Sequence, residues 1–181
     1  MPGVDIHSYT FTATDQLLLD TNILLFVFGP QKPNDRRSAV YSNAYKKMLE
    51  ANSKLYVDVL IMSEFINRYT RLEMGFLRTH KDYKNFRKSE DFTPVARDIA
   101  SNVRRISKVT TRTNCAFEEC PLDVIISEFV VGRIDFNDQM ILHLCRTMNL
   151  TLVTDDGDCN SQDVKILTAN SRLLGNPDAI L

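Results

Sequence analysis

Four acidic residues, Asp20, Glu64, Asp138 and Asp156, each stand where an apolar run gives way to polar residues, and this recurrence limits the folds open to the chain. Asp20 closes Leu17-Leu18-Leu19, and Asp156 follows Leu152-Val153-Thr154-Asp155, so both fall at the ends of short buried strands. Glu64 lies early in a helical stretch from about Leu60 to Leu77, where Ile61, Phe65, Ile66, Tyr69, Leu72 and Phe76 recur at helical spacing. Asp138 opens a helix to about Met148 with Ile141, Leu142, Leu144 and Cys145 on its apolar side. Short strands separated by helices of this length require right-handed crossovers, which predicts an α/β fold with a central, mostly parallel sheet flanked by helices. In such sheets the ligand site lies beyond the carboxyl ends of the strands, where four segments distant in sequence can converge.

The remaining elements follow from the same patterns. Strands are expected at Gln16 to Leu19, Lys54 to Asp58, Leu150 to Thr154 and Val164 to Thr168, and helices from about Asp35 to Asn52 and from Leu122 to Val131. Pro94 starts another helix, carrying Val95, Ile99, Val103 and Ile106 on one face. Residues 78–93 are polar and charged, and read as a linker or an exposed helical extension. The Thr-rich piece at 110–113, with Pro121, brackets a short connection. At 181 residues the chain is expected to form a single domain over 1–181, with an enlarged basic helical middle at about 68–112. No apolar run approaches the roughly 18 to 20 residues of a membrane helix, and Met1 to Asp15 lacks the plan of a signal peptide, so a cytoplasmic protein is expected. Cys115, Cys120, Cys145 and Cys159 have neither Cys-x-x-Cys spacing nor disulfide-scaffold density, and read as reduced structural thiols.

Charge is segregated. Residues 68–112 hold twelve Lys or Arg against five Asp or Glu, a net +7 in a chain whose total is −1. A basic surface beside an acidic core attracts phosphate backbones, although a solvated helix face gives the same count. Tyr69, Phe76, Tyr83 and Phe86 are available to stack bases if exposed. Tyr69 and Phe76 share an apolar helix face and are expected in the core.

Gathered carboxylates raise one another's pKa, and a fold that collects several without basic partners usually holds a hard cation among them. Oxygen-only ligation favours Mg²⁺ or Mn²⁺ over Zn²⁺. Each acid also has a plainer reading: Asp20 as a helix N-cap, Glu64 as the i,i+4 partner of Arg68, Asp138 as a cap or first-turn residue with Asp135 as the rival ligand. Asp155, Asp156, Gly157 and Asp158 read equally as a turn. Thr21, Asn22 and Thr154 either orient the acids or cap. His7, His80 and His143 show no ligand spacing.

Asp20-Thr21-Asn22 followed by Ile23-Leu24-Leu25, Ser63-Glu64 followed by Arg68, Asp138 followed by Ile141, and Leu152-Val153-Thr154-Asp155-Asp156 together resemble, in order and placement, the motifs of the PIN domain, a nuclease family that includes the VapC-type toxin ribonucleases. The resemblance implies a metal-dependent ribonuclease in which Asp20, Glu64, Asp138 and Asp156 hold Mg²⁺ or Mn²⁺, with either Asp156 or Asp158 as the nearer ligand. It also implies an RNA substrate, an antitoxin protein as partner, and a homodimer. Two departures stand out: the enlarged middle, and Asp158-Cys159 where an aromatic commonly follows the last acid. The rival readings are a non-catalytic nucleic-acid or protein-binding module on the same fold, and a phosphotransfer protein with Asp20 as nucleophile. The latter is disfavoured because Asp20-Thr21-Asn22 lacks an Asp-x-Asp pattern.

Overall fold

The computed structural model describes residues 3–30, 34–115, 117–132, 134–159, 161 and 163–175. Its strands are β1 (Val4–Asp5), β2 (Gln16–Leu19), β3 (Lys54–Asp58), β4 (Thr110–Thr113), β5 (Thr151–Val153) and β6 (Ile166–Thr168). They form one sheet in the order β1-β6-β5-β2-β3-β4, and every neighbouring pair is parallel. The helices are α1 (Thr21–Phe28), α2 (Arg36–Glu50), α3 (Val59–Leu77), α4 (Tyr83–Phe86), α5 (Phe92–Val109), α6 (Leu122–Val130) and α7 (Phe136–Met148). The expected α/β architecture is therefore present.

The centre of the sheet is its most apolar part. Leu17, Leu18 and Leu19 of β2 are all fully buried, which in a strand whose side chains alternate means that both faces are covered. Truncating any of them to Ala would cost about 2–5 kcal/mol. Leu17 pairs with Leu55 on one side and Thr151 on the other, and Leu19 with Val153, so β2, β3 and β5 end together. Around them α1 packs on α2 and α3, α3 on α5, and α6 on α7.

The edges of the sheet depart from expectation. The Thr-rich piece at 110–113, expected only to bracket a connection, is a strand, β4, paired with β3 from Leu55↔Thr110 to Asp58↔Thr113. β1 at the opposite edge pairs with β6. An edge strand needs no apolar face on both sides, so Thr-Thr-Arg-Thr serves as well as an aliphatic run. The polar stretch after α3 is also more ordered than a linker: Asp82 caps α4, accepting from the Asn85 N–H, and Phe86 is fully buried between His80 and Phe92. Phe86 is thus core and cannot stack a base, whereas Phe76, expected in the core, is 47% exposed; Tyr69 is buried as expected.

Candidate active site

Asp20 follows β2 directly and is the N-cap of α1, so the strand end, the cap and the carboxylate are one feature. Its side chain is almost completely buried and is held on every side. Oδ1 accepts from the Thr21 N–H at 2.6 Å, and Oδ2 accepts from Asn22 Nδ2 at 2.5 Å and Thr154 Oγ1 at 2.6 Å. The Asp20 N–H itself donates to the Val153 carbonyl, which ties β2 to β5 at this point. Burial pushes the Asp20 carboxyl up to about 6 despite the bonds from Thr154 and Thr21, and the charges of Glu64 and Asp156 add to the rise.

Glu64 sits in the second turn of α3, which Asp58 caps by accepting from the Leu60 N–H. Glu64 Oε2 accepts from Thr21 Oγ1 at 3.0 Å, and Arg68 Nη1 reaches Oε1 at 3.1 Å. The i,i+4 pair and the approach to Asp20 therefore coexist.

Asp138 lies in the first turn of α7. The cap is Asp135, which accepts from the Asp138 N–H at 2.9 Å. Burial raises Asp138 to about 7, helped by the charges of Asp135, Asp20 and Asp156 and opposed by a hydrogen bond with Cys159. Burial first, then the three carboxylates Asp138, Asp20 and Asp156, push the Cys159 thiol far up in turn. Asp156 is placed by its N–H donating to Thr154 Oγ1 at 3.0 Å, and its own Oδ1 accepts from the exposed Asp158 N–H. Of the two final acids, Asp156 is the one whose charge acts on both Asp20 and Asp138. Asp155 is taken up elsewhere: Tyr41 OH donates to it at 2.7 Å, Arg37 lies 3.6 Å away, and its N–H donates to Asn22 Oδ1.

Asp20, Glu64, Asp138 and Asp156 thus share one electrostatic neighbourhood at the carboxyl end of the sheet. As the side chains stand, no three His, Cys, Asp or Glu among the described residues form a cluster that could hold a metal ion, and Asp20 and Glu64 are hydrogen-bonded to donors of their own fold. The chemistry of the donor set nonetheless fits a hard divalent cation. It is oxygen only, partly buried and mutually repulsive, and among the described residues no Lys or Arg forms an ion pair with Asp20, Asp138 or Asp156.

Two recesses are lined by these acids or by their sequence neighbours. One is lined by Phe129, Gly132, Ile134, Asp135, Asp138, Asp156 and Asp158. The other is a groove between α1, α2 and α3 lined among others by Asn22, Phe26, Arg37, Arg68, Leu72 and Phe76. Arg37 lies over the Phe26 ring, 5.4 Å from its centroid. Sequence reasoning missed Arg37, Tyr41, Phe129 and the partnership of Cys159 with Asp138. Nothing local marks them, since Tyr41 meets Asp155 across 114 positions.

The acids lie beyond the carboxyl end of a parallel sheet, where open α/β folds place their ligand sites. The PIN domain profile matches residues 17–165, and the chain belongs to the PIN domain family, whose members are generally nucleases that use divalent metals. Among curated proteins none gives a significant match. Two solved structures share the fold. VapBC2 from Rickettsia felis, bound to a DNA fragment from its promoter, is similar with a TM-score of 0.52 at 14% identity, over 85% of this chain and 98% of that one. PAE2754 from Pyrobaculum aerophilum gives 0.50 at 16% identity, over 95% of each chain. Among the described residues no helix is long and apolar enough to cross a membrane.

Proposed function

We propose that the protein is an endoribonuclease that hydrolyses RNA phosphodiester bonds at Asp20, Glu64, Asp138 and Asp156, which would hold Mg²⁺ or Mn²⁺ with Asp158 at the rim. The observation that carries this reading is the buried Asp20 carboxylate, raised to about 6 and sharing its field with Glu64 and Asp156 in a fold of nucleases. The bound ion would lower the pKa of a water and offset charge developing on the phosphodiester.

The chain's own residues do the positioning. Thr21, Asn22 and Thr154 fix the Asp20 carboxylate, and Thr21 and Arg68 fix Glu64. Without an ion, burial and the charges of Asp135, Asp20 and Asp156 raise Asp138 to about 7, a rise that a cation held there would reverse, so loading the site would release a proton. Cys159 is the nucleophilic side chain beside the acids, but its thiol is buried and kept protonated, so it does not attack. Water is left as the attacking group. In the neighbouring groove Arg37 and Arg68, already beside Asp155 and Glu64, have only their remaining N–H groups to offer a phosphate, and the exposed cations of residues 68–112 add weaker, salt-screened attraction.

Incubating purified protein with single-stranded RNA and with DNA of the same sequence, in Mg²⁺, Mn²⁺ or chelator, tests the proposal. RNA cleavage restored by either ion after chelation is expected. Undiminished cleavage in chelator would contradict the metal role, and binding without turnover under every condition would favour the non-catalytic module. The fold shared with VapBC2 supports a further step, that the protein is the toxin of a toxin–antitoxin pair. A small DNA-binding protein encoded beside it, which on co-expression copurifies with it and blocks cleavage, is the expected finding.

A further inference from the structure

Asp155 stands between Thr154 and Asp156, two residues of the acidic site, yet its carboxylate is held from the other side. Tyr41 OH donates to Oδ1 at 2.7 Å, and Arg37 Nη1 lies 3.6 Å from Oδ2. The same Tyr41 oxygen accepts from the Ala169 N–H at 2.9 Å, just past the end of β6. Arg37 lies over the Phe26 ring, and that ring stacks on Tyr41 with centroids 5.4 Å apart and planes nearly parallel. Arg37, Phe26 and Tyr41 therefore form a stack whose two ends meet one carboxylate. Tyr41 is fully buried and the Asp155 side chain only 10% exposed, so little water competes for their bond.

The backbone of Asp155 reaches the acids directly. Its N–H donates to Asn22 Oδ1 at 3.1 Å, and its carbonyl accepts from Asn170 Nδ2 at 2.6 Å. The first bond decides how Asn22 presents its amide: with Oδ1 taken by Asp155, Nδ2 faces Asp20 Oδ2 and Thr154 Oγ1. A flipped amide would set an acceptor against the Asp20 carboxylate. One residue further on, the Asp156 N–H donates to Thr154 Oγ1, which itself donates to Asp20 Oδ2. A shift of the chain at Asp155 thus disturbs the donors of Asp20 and the place of Asp156 together.

We propose that Asp155 is a positioning residue and not a metal ligand: Tyr41 anchors its carboxylate, and the anchored backbone holds Asn22 on Asp20 and sets Asp156 through Thr154. This rests on the metal-dependent reading of the site. The anchor needs an acceptor oxygen for Tyr41 and not a charge, so an amide at this position serves, whereas a metal ligand suffers when its carboxylate becomes an amide.

The test compares the parent with D155N, D155A, Y41F and the double variant Y41F/D155A. Mn²⁺ titrations followed by the paramagnetic signal of the free ion give the affinity, and RNA cleavage at saturating Mn²⁺ and RNA gives kcat, all well below each melting temperature. D155N should stay close to the parent in both. D155A and Y41F should each weaken Mn²⁺ binding or lower kcat by about 10- to 100-fold, the usual loss for an outer partner of a metal ligand. The double variant should lose little more than the worse single, because both changes break one bond. If D155N loses as much as D155A, the carboxylate itself is used and the proposal is overturned. Unchanged Mn²⁺ affinity and kcat in D155A and Y41F, with only the melting temperature lowered, would make the bond structural and overturn it too. A parent that binds no Mn²⁺ would overturn the metal reading and this proposal with it. A parent that binds Mn²⁺ but cleaves no RNA would overturn the ribonuclease reading alone, and the titrations would still decide the role of Asp155.

Discussion

The acidic end of the sheet and the basic middle of the chain, residues 68–112, carry opposite charge and are built in opposite ways. The acidic end is assembled from four distant segments, and its key carboxylate is buried and fixed by three donors. The basic middle is contiguous in sequence and largely exposed, and much of its charge has another use. Arg68 pairs with Glu64, while Arg71, Arg87 and Arg105 lie over the rings of Tyr83, Phe92 and Phe28. A guanidinium over a ring packs as well as it repels, so the net +7 overstates the charge offered to a ligand. Burial makes charge chemically potent, and exposure makes it a weak, salt-screened handle.

That contrast orders the expected effects. Asp20→Asn should lose more activity than the about 100-fold typical of losing an outer partner of a metal ligand, because it removes a carboxylate and reverses an acceptor facing Asn22 and Thr154. Single-turnover cleavage measures it, and near-parental rates would leave Asp20 with only its capping role. Asp156→Asn should cost at least about ten-fold more than Asp158→Asn, since the Asp156 charge is the one that acts on Asp20 and Asp138. Equal losses would mean that the turn holds both acids equivalently.

In the basic middle, neutralising Lys81, Lys84, Arg87 and Lys88 together should weaken RNA binding and flatten its salt dependence by up to about 0.7 per lost phosphate contact. Turnover at saturating RNA should stay near parental. An unchanged salt slope would assign the segment to folding alone, a real alternative because Arg87 already lies over Phe92.

How much of this was legible follows from which forces are local. The acids were visible because each ends an apolar run, and β3 and α3 were visible because their periodicity is strong. Both edge strands were not: Val4–Asp5 is too short to alternate, and Thr110–Thr113 is polar because an edge permits it. α1 was hidden because Ile23, Leu24 and Leu25 continue the apolar run of β2, with only Asp20 marking the switch from strand to helix. The exchange between Phe76 and Phe86 has the same origin. Helical spacing placed Phe76 on an apolar face, but with Leu72 it lines an open groove and stays exposed, while Phe86 in a charged segment is drawn under His80 and Phe92. Supports such as Tyr41 and Cys159 act across the fold and leave no pattern in the sequence.

The smallest expected effect concerns stability without metal. Asp20 and Asp138 have folded pKa values raised to about 6 and about 7 from 3.8. Between those limits the folded state binds more protons than the unfolded state, so stability is highest below about pH 4 from these groups and is lost as pH rises toward 7. In chelator, Asp138→Asn should flatten that decline and melt higher than the parent at pH 8, by roughly 2–4 °C for each kcal/mol of repulsion relieved. A variant melting well below the parent would instead make the Asp138–Cys159 contact structural.

The same melts with Mn²⁺ added address the central claim, that the buried acids are gathered for a divalent cation. At pH 8, saturating Mn²⁺ should raise the melting temperature of the parent and leave Asp20→Asn and Asp138→Asn nearly unmoved. No shift in the parent, or the same shift in all three proteins, would contradict it.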